Sequence, residues 1–126
     1  MRRQSILSQA EWQIMELLWD KPATLMELVA DLSKTTTWTK STIATMVRRM
    51  EEKGVLTHAD KGRAKLFIPA VTRKEAAVQE TQSLLSRAYH GSMGLLVSTM
   101  AQQNSLTKED IDELYAILRK AEEEAK

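Results

Sequence analysis

The chain has 126 residues, 43% hydrophobic and 28% charged, with a formal net charge of +1, which suits one small domain or a domain plus an accessory element. It has no Cys, which excludes disulfides, thiolate metal sites and a Cys nucleophile. Met1-Arg2-Arg3 is followed by no apolar signal core, and apolar runs such as Leu95-Leu96-Val97 are too short to span a membrane, so a cytoplasmic protein of bacterial type is expected.

Residues 1–7 read as a short arm in which Arg2 and Arg3 could touch a phosphate backbone. Ser8-Gln9-Ala10-Glu11 spells a capping box and opens a helix over about residues 9–20. Its apolar stripe is Trp12, Met15, Leu18 and Trp19, with Ile14 at the edge, and Pro22 ends it. Thr24-Leu25-Met26-Glu27 is a second capping box, for a helix over about 25–33 that carries Leu25, Leu28, Val29 and Leu32. Lys34 to Thr37 is a polar connector, and Trp38 stands where a hydrophobic staple precedes an N-cap, here Thr39.

The third helix lies within Thr37–Gly54. Ile43, Met46, Val47 and Met50 repeat at helical spacing on one face. The other face carries Ser41, Thr45, Arg48 and Glu52, with Arg49 beside it, and the first turn adds Thr39, Lys40 and Thr42. A helix that is apolar behind and hydroxyl- and Arg-bearing in front suits a DNA major groove. The simpler alternative is an ordinary solvated face, and the surroundings decide between them. Val55 to His58 reads as a strand, Ala59 to Arg63 as a turn with Gly62 free to take positive φ, and Ala64 to Ile68 as the returning strand, closed by Pro69. Helix, helix, helix and basic hairpin is the order of a winged helix-turn-helix. The expected DNA-facing set is Lys40, Ser41, Thr42, Thr45, Arg48 and Arg49 on the helix. The wing adds Lys61 and Arg63, with Lys65 on its returning strand.

Thr72-Arg73-Lys74-Glu75 is a third capping box and opens a helix over about 73–89, interrupted by Gly91 and Gly94. Leu95, Leu96, Val97 and Met100 form a short helix ending before Asn104. Thr107 opens the last helix, in which Ile111, Leu114, Tyr115 and Leu118 share a face, and the tail Glu122–Lys126 is expected to fray. Residues 1–70 hold 11 Lys/Arg against 8 Asp/Glu, or +3, while residues 71–126 hold 7 against 9, or −2. The fold expected is mainly α: a winged-helix DNA-binding domain over 1–70, then a three-helix unit over 71–126. The second unit has little chain for a core of its own. Its apolar residues Leu84, Leu85, Tyr89, Leu95, Leu96, Met100, Ile111, Leu114, Tyr115 and Leu118 suit a two-fold homodimer.

Trp12, Trp19 and Trp38 are read as core rather than as stacking platforms. His58 and His90 have no neighbour at a metal-ligand spacing, and the acidic cluster from Glu109 to Glu113 fits helix-start electrostatics. No catalytic triad, P-loop or dinucleotide fingerprint is present, so neither an enzyme nor a cofactor is expected.

Together these residues resemble the BlaI/MecI family of bacterial penicillinase and methicillin-resistance repressors, which includes the CopY copper repressors. The likeness runs through Ser8, Glu11-Trp12, Ile14-Met15, Leu18-Trp19, Thr24, Glu27, Trp38, Thr42-Ile43, Thr45-Met46, Arg48-Arg49-Met50, Lys53 to Leu56, Gly62-Arg63 and Pro69. It continues more weakly through Tyr89, Gly91, Leu96-Val97, Leu106-Thr107, Glu109, Ile111 and Glu113-Leu114. The resemblance implies an N-terminal winged helix, a C-terminal dimerisation unit and repression at palindromic double-stranded operators. In the penicillinase branch it also implies release through a membrane-bound sensor protease and cleavage in the dimerisation unit. The matching position is Thr99-Met100, where the family pattern carries an Asn–Phe-type bond. The copper branch binds metal through cysteines, which this chain lacks. Two alternatives stay open. One is a small-molecule-responsive winged-helix regulator with a pocket lined by Tyr89, Met93, Met100 and Tyr115. The other is a winged-helix protein-interaction module.

Overall fold

The computed structural model describes residues 7–125, so Arg2 and Arg3 lie outside it. The elements run α1 (Gln9–Asp20), β1 (Ala23–Thr24), α2 (Leu25–Leu32), α3 (Lys40–Glu52), β2 (Leu56–Lys61), β3 (Ala64–Pro69), α4 (Arg73–Tyr89), α5 (Met93–Gln102) and α6 (Lys108–Glu124). They divide into two compact units, Met1–Thr81 and Gln82–Lys126. The architecture is a winged helix-turn-helix followed by helices, as the element order led us to expect.

In the first unit, helices begin where the sequence supplies an acceptor for the orphan amides of a first turn. Ser8 Oγ accepts the Glu11 N–H at 3.1 Å, and Glu11 Oε1 accepts the Ser8 N–H at 2.9 Å. Thr24 and Glu27 repeat the box on α2. Thr39 caps α3, its hydroxyl accepting the Thr42 N–H at 3.1 Å, an arrangement worth about 1 kcal/mol against Ala. α3 ends in a Schellman turn. The Val55 N–H reaches the Met50 carbonyl and the Gly54 N–H the Glu51 carbonyl, each at 3.1 Å, with Gly54 at φ +88°, a conformation that costs glycine no Cβ clash.

The core gathers Ile14, Met15 and Leu18 of α1, Leu28 and Leu32 of α2, Ile43, Val47 and Met50 of α3, and Leu56 and Phe67 of the sheet. Leu7, read from sequence as part of the arm, is also buried. The α1 stripe centres on Ile14, Met15 and Leu18, and Trp12 and Trp19 flank it, half-buried and edge to face at 5.5 Å. An indole is too large to bury whole and carries an N–H that needs a partner. Trp19 Nε1 donates to the Val71 carbonyl at 2.9 Å. Glu11 is buried too, and its Oε1 lies 2.7 Å from Lys53 Nζ, which ties the start of α1 to the end of α3.

The sheet has the order β1-β3-β2, all antiparallel. β1, two residues pairing Ala23 with Phe67 and Thr24 with Leu66, has no sequence signature because it lies between Pro22 and a helix cap. The wing also differs from expectation. β2 continues through Ala59, Asp60 and Lys61, and Lys61 pairs with Ala64, so the turn is only Gly62-Arg63. Gly62 at φ +63° with Arg63 outside the left-handed region matches a turn of II′ type, whose twist suits the strands. Ala59, Asp60 and Lys61 have low strand propensity, and ladder pairing with β3 overrides it.

In the second unit, Ser92 caps α5, its hydroxyl accepting the Leu95 N–H at 3.0 Å. Gly94 lies inside α5 and does not interrupt a helix. Thr107 and Asp110 cap α6 reciprocally. α6 runs through Glu124, so residues 122–124 are helical where fraying was expected, in keeping with the high helix propensity of Ala and Glu. Neither α5 nor α6 contains a buried residue. Met93, Tyr115 and Leu118 are each about 60% exposed. Leu84, Leu95, Met100 and Ile111 are exposed as well, while Leu85, Tyr89, Leu96 and Leu114 are half-buried.

Candidate nucleic-acid interface

The apolar residues at 43, 47 and 50 are buried behind α3, which leaves its polar residues on the outside. Lys40, Ser41, Thr42, Arg48 and Arg49 are exposed, and Thr45 is half-buried. The first turn is more ordered than composition suggests. Thr39 Oγ1 accepts the Thr42 N–H and donates its own proton to Thr42 Oγ1 at 3.1 Å. The Thr42 hydroxyl is thereby held in place with its proton left to donate outward. Met26 at the start of α2 is a large apolar side chain 58% exposed. Sequence reasoning did not single it out, because its capping-box position explains it as an ordinary helix residue.

The hairpin carries its cations beside this helix. Lys61, Arg63 and Lys65 are all exposed, Lys61 and Lys65 on facing strands and Arg63 in the turn. A cleft of about 420 Å³ separates α3 from β3 and the start of α2. Ala44, Val47 and Phe67 line it, as do Lys40, Arg48 and Lys65. The fold thus brings two cations of α3 and one of the wing, distant in sequence, to one place. Glu51 also lines the cleft and contacts His58 Nδ1 of β2. His58 stacks edge-on to Phe67 at 6.2 Å. His58, isolated in the sequence, is a brace between the end of α3 and the wing.

The electrostatics leave this surface positive. Among the described residues, the carboxylates pair with Lys34, Lys53, His58, Arg73 and Lys108. Lys40, Arg48, Arg49, Lys61, Arg63 and Lys65 form no ion pair there. A cation outside a close ion pair can take a phosphate without first breaking one. Beside the wing, the Glu27 carboxyl is held below its ordinary value by the hydrogen bond from the Thr24 N–H, opposed by burial and assisted by Lys61 and Lys21. Among the described residues no cluster of three His, Asp or Glu could hold a metal ion.

Comparison with known proteins agrees with this geometry. The family described as penicillinase repressor matches residues 7–120. The penicillinase repressor of Bacillus licheniformis is 34% identical over 113 residues, 89% of this chain and 88% of that one. The methicillin resistance regulatory protein MecI of Staphylococcus aureus is 24% identical over 115 residues, 90% and 94% of the two chains. Two solution structures of BlaI are similar at 33% identity, each over 60% of this chain and 93% of the other. One is its DNA-binding domain, with a TM-score of 0.53. The other is the Bacillus licheniformis monomeric form in complex with the blaP half-operator, with a TM-score of 0.52. The winged helix and a match along nearly the whole chain place this protein in the penicillinase repressor family, a family of repressors and not of enzymes.

Proposed function

We propose that this chain is a homodimeric transcriptional repressor that binds a palindromic double-stranded operator, with α3 in the major groove and the wing on the adjacent backbone. The observation that carries the reading is the group of six exposed cations without internal ion pairs on α3 and the wing. The BlaI complex with a half-operator supports it by similarity. Arg48 donates two hydrogen bonds to a guanine edge. Ser41, Thr42 and Thr45 meet base edges, thymine methyls or phosphates, and Lys40, Arg49, Lys61 and Arg63 hold phosphates. Residues 1–70 form the DNA-binding domain and residues 71–126 the dimerisation domain. No described helix is long and apolar enough to cross a membrane, and a repressor of chromosomal operators works in the cytoplasm.

The exposed apolar residues of α5 and α6 support the dimer, since helices with no fully buried residue in one chain gain that burial from a second. The same exposure of Met93, Met100 and Tyr115 favours an interface over the alternative of a small-molecule pocket. The reading extends to release by a sensor-protease pathway that cuts at Thr99–Met100, and to control of β-lactam-resistance or related genes. That bond lies inside α5, and the Thr99 hydroxyl donates to the Leu95 carbonyl at 2.9 Å. A protease needs an extended segment, so α5 must open before it is cut. With no residue of α5 buried in the single chain, opening is inexpensive once the dimer dissociates. Selecting the duplexes this protein retains from random DNA tests the repressor reading. A palindromic consensus is expected, and retention without any enrichment would point to the interaction module instead.

A further inference from the structure

We infer that Glu51 and His58 are positioning residues that hold the wing at a fixed angle to α3, so that the wing's grip on a DNA backbone depends on a contact that touches no DNA. This rests on the DNA-binding reading alone, without the dimer. β2 is an edge strand, paired with β3 only. One face of the hairpin carries three directly opposed pairs, Leu56 with Pro69, His58 with Phe67 and Asp60 with Lys65, because alternate residues of a strand share a face. At the base, Leu56 is the one buried residue of β2, and Phe67 is buried on β3. From Thr57 to Lys65 every residue is exposed. Among the described residues, no hydrogen bond or close ion pair joins a side chain of residues 59–65 to another element. The Glu51–His58 contact is therefore the outermost side-chain tie between the hairpin and α3.

The imidazole is held from two sides. A carboxylate only accepts, so His58 Nδ1 carries the proton and donates it to Glu51 Oε2. The same ring lies edge-on to Phe67, with centres 6.2 Å apart. Phe67 belongs to the core, and β3 is paired along its other edge with β1, Ala23 against Phe67 and Thr24 against Leu66. The hairpin thus has a support on each edge, β1 beside β3 and the end of α3 beside β2.

The lever is long enough for that second support to matter. Lys61 lies five residues beyond Leu56, about 17 Å at about 3.4 Å per residue, so a tilt of about 10° at the base moves the tip by about 3 Å, the length of a hydrogen bond. That displacement takes Lys61 and Arg63 off a phosphate. Without the brace, Glu51 is out of place. It lines the cleft with Lys40, Arg48 and Lys65, where a carboxylate repels the phosphates that those cations attract. If Glu51 acted through its charge alone, removing it would tighten DNA binding. As a brace, its removal weakens binding. The two roles predict opposite signs.

The test measures the affinity and salt dependence of the full chain for a duplex carrying one half of the palindrome selected from random DNA. The variants are Glu51→Ala, His58→Phe, which keeps a ring beside Phe67 and loses the donor, and His58→Gln, whose amide can still donate to Glu51. Glu51→Ala and His58→Phe should each weaken binding by about three- to tenfold and lower the slope of log affinity against log salt by about one. His58→Gln should recover part of both. In the His58→Phe background, Arg63→Ala should cost under about twofold, less than in the wild-type chain, while Arg48→Ala costs as much as before, because the wing is slack and α3 has not moved. Tryptophan-fluorescence melting reports whether each variant is folded, and His58→Ala carries the Arg63 comparison if His58→Phe melts early. Additive losses for His58→Phe and Arg63→Ala would overturn the brace, as would tighter binding by Glu51→Ala. A wild-type chain that retains no duplex even at low salt would overturn the DNA-binding reading itself, and the wild-type measurement alone tells that failure from the other.

Discussion

Arg48→Ala separates base reading from charge. Arg48 is exposed on α3 at the edge of the cleft, without an internal ion pair, and the helix behind it is fixed by the buried Val47 and Met50. Losing a bidentate contact to a base costs roughly 1–3 kcal/mol. A two-fold dimer loses it twice, so the cost on a full palindrome is roughly 2–6 kcal/mol, or about 30-fold to 10⁴-fold in affinity. The loss on one half-site should be the square root of that factor. Fluorescence anisotropy against the palindrome, the half-site and a random duplex reads all three. Random-duplex binding should change far less, and tolerance at one operator position should widen. Arg63→Ala is the control. It should weaken all duplexes alike and lower the slope of log affinity against log salt by about one for each copy. If Arg48→Ala weakens random duplex as much as operator, Arg48 holds a phosphate and the assignment of base reading to it is wrong.

Three further outcomes are expected. Glu11→Ala removes the carboxylate half of the α1 capping box and its contact with Lys53, and should cost more than the about 1 kcal/mol expected for Ser8→Ala. Denaturation followed by tryptophan fluorescence resolves this, because Trp12, Trp19 and Trp38 all lie in the first unit, and equal shifts for the two variants would refute the bridging role. Leu118→Asp, at a position 62% exposed in the single chain, should raise the dimer dissociation constant at least tenfold by placing a charge in an apolar contact; unchanged sedimentation would remove this face from the interface. The folded Glu27 carboxyl titrates below its ordinary value of 4.5. Its stabilisation is therefore complete above that value and is lost as pH falls through the lowered one. Glu27→Gln should flatten the acid limb of the stability curve and leave the shape of the neutral limb alone.

Capping boxes are the part of this fold most open to sequence reading. Ser8–Glu11, Thr24–Glu27 and Thr72–Glu75 are all present as hydrogen-bonded pairs, because a cap depends on residues only three apart. Helix faces were legible for the same reason, though α1 turned by a fraction of its circumference toward Ile14. Long-range ties were not legible. The pairs Glu11–Lys53, Glu51–His58 and Glu16–Arg73 join residues whose approach depends on the assembled fold. The two-residue β1 was hidden, since it is a strand only because β3 passes beside it. The α3 residues proposed to face DNA were legible as a polar face. That Lys40 and Arg48 line one cleft with Lys65 was not.

The division of labour between the units has an energetic consequence. In the proposed complex each winged helix offers six exposed cations outside any close ion pair and one short helix, enough for a weak half-site contact. Linking two such contacts gains a factor of about 10² to 10⁴ through effective concentration, with no new DNA contact. On the proposed dimer that factor depends on the second unit, in which no residue of α5 or α6 is fully buried in the single chain. Control can therefore be exercised where no DNA is touched. On the proposed dimer, an event that opens α5 would remove an interface helix and return each chain to half-site affinity, while α3 remains folded. A chain truncated after residue 81 should accordingly keep half-site binding with the specificity of the full protein and lose the 10² to 10⁴ factor on the palindrome. If the truncated chain bound the palindrome as tightly as the full chain, α5 and α6 would have no part in operator affinity, and release through them would be ruled out.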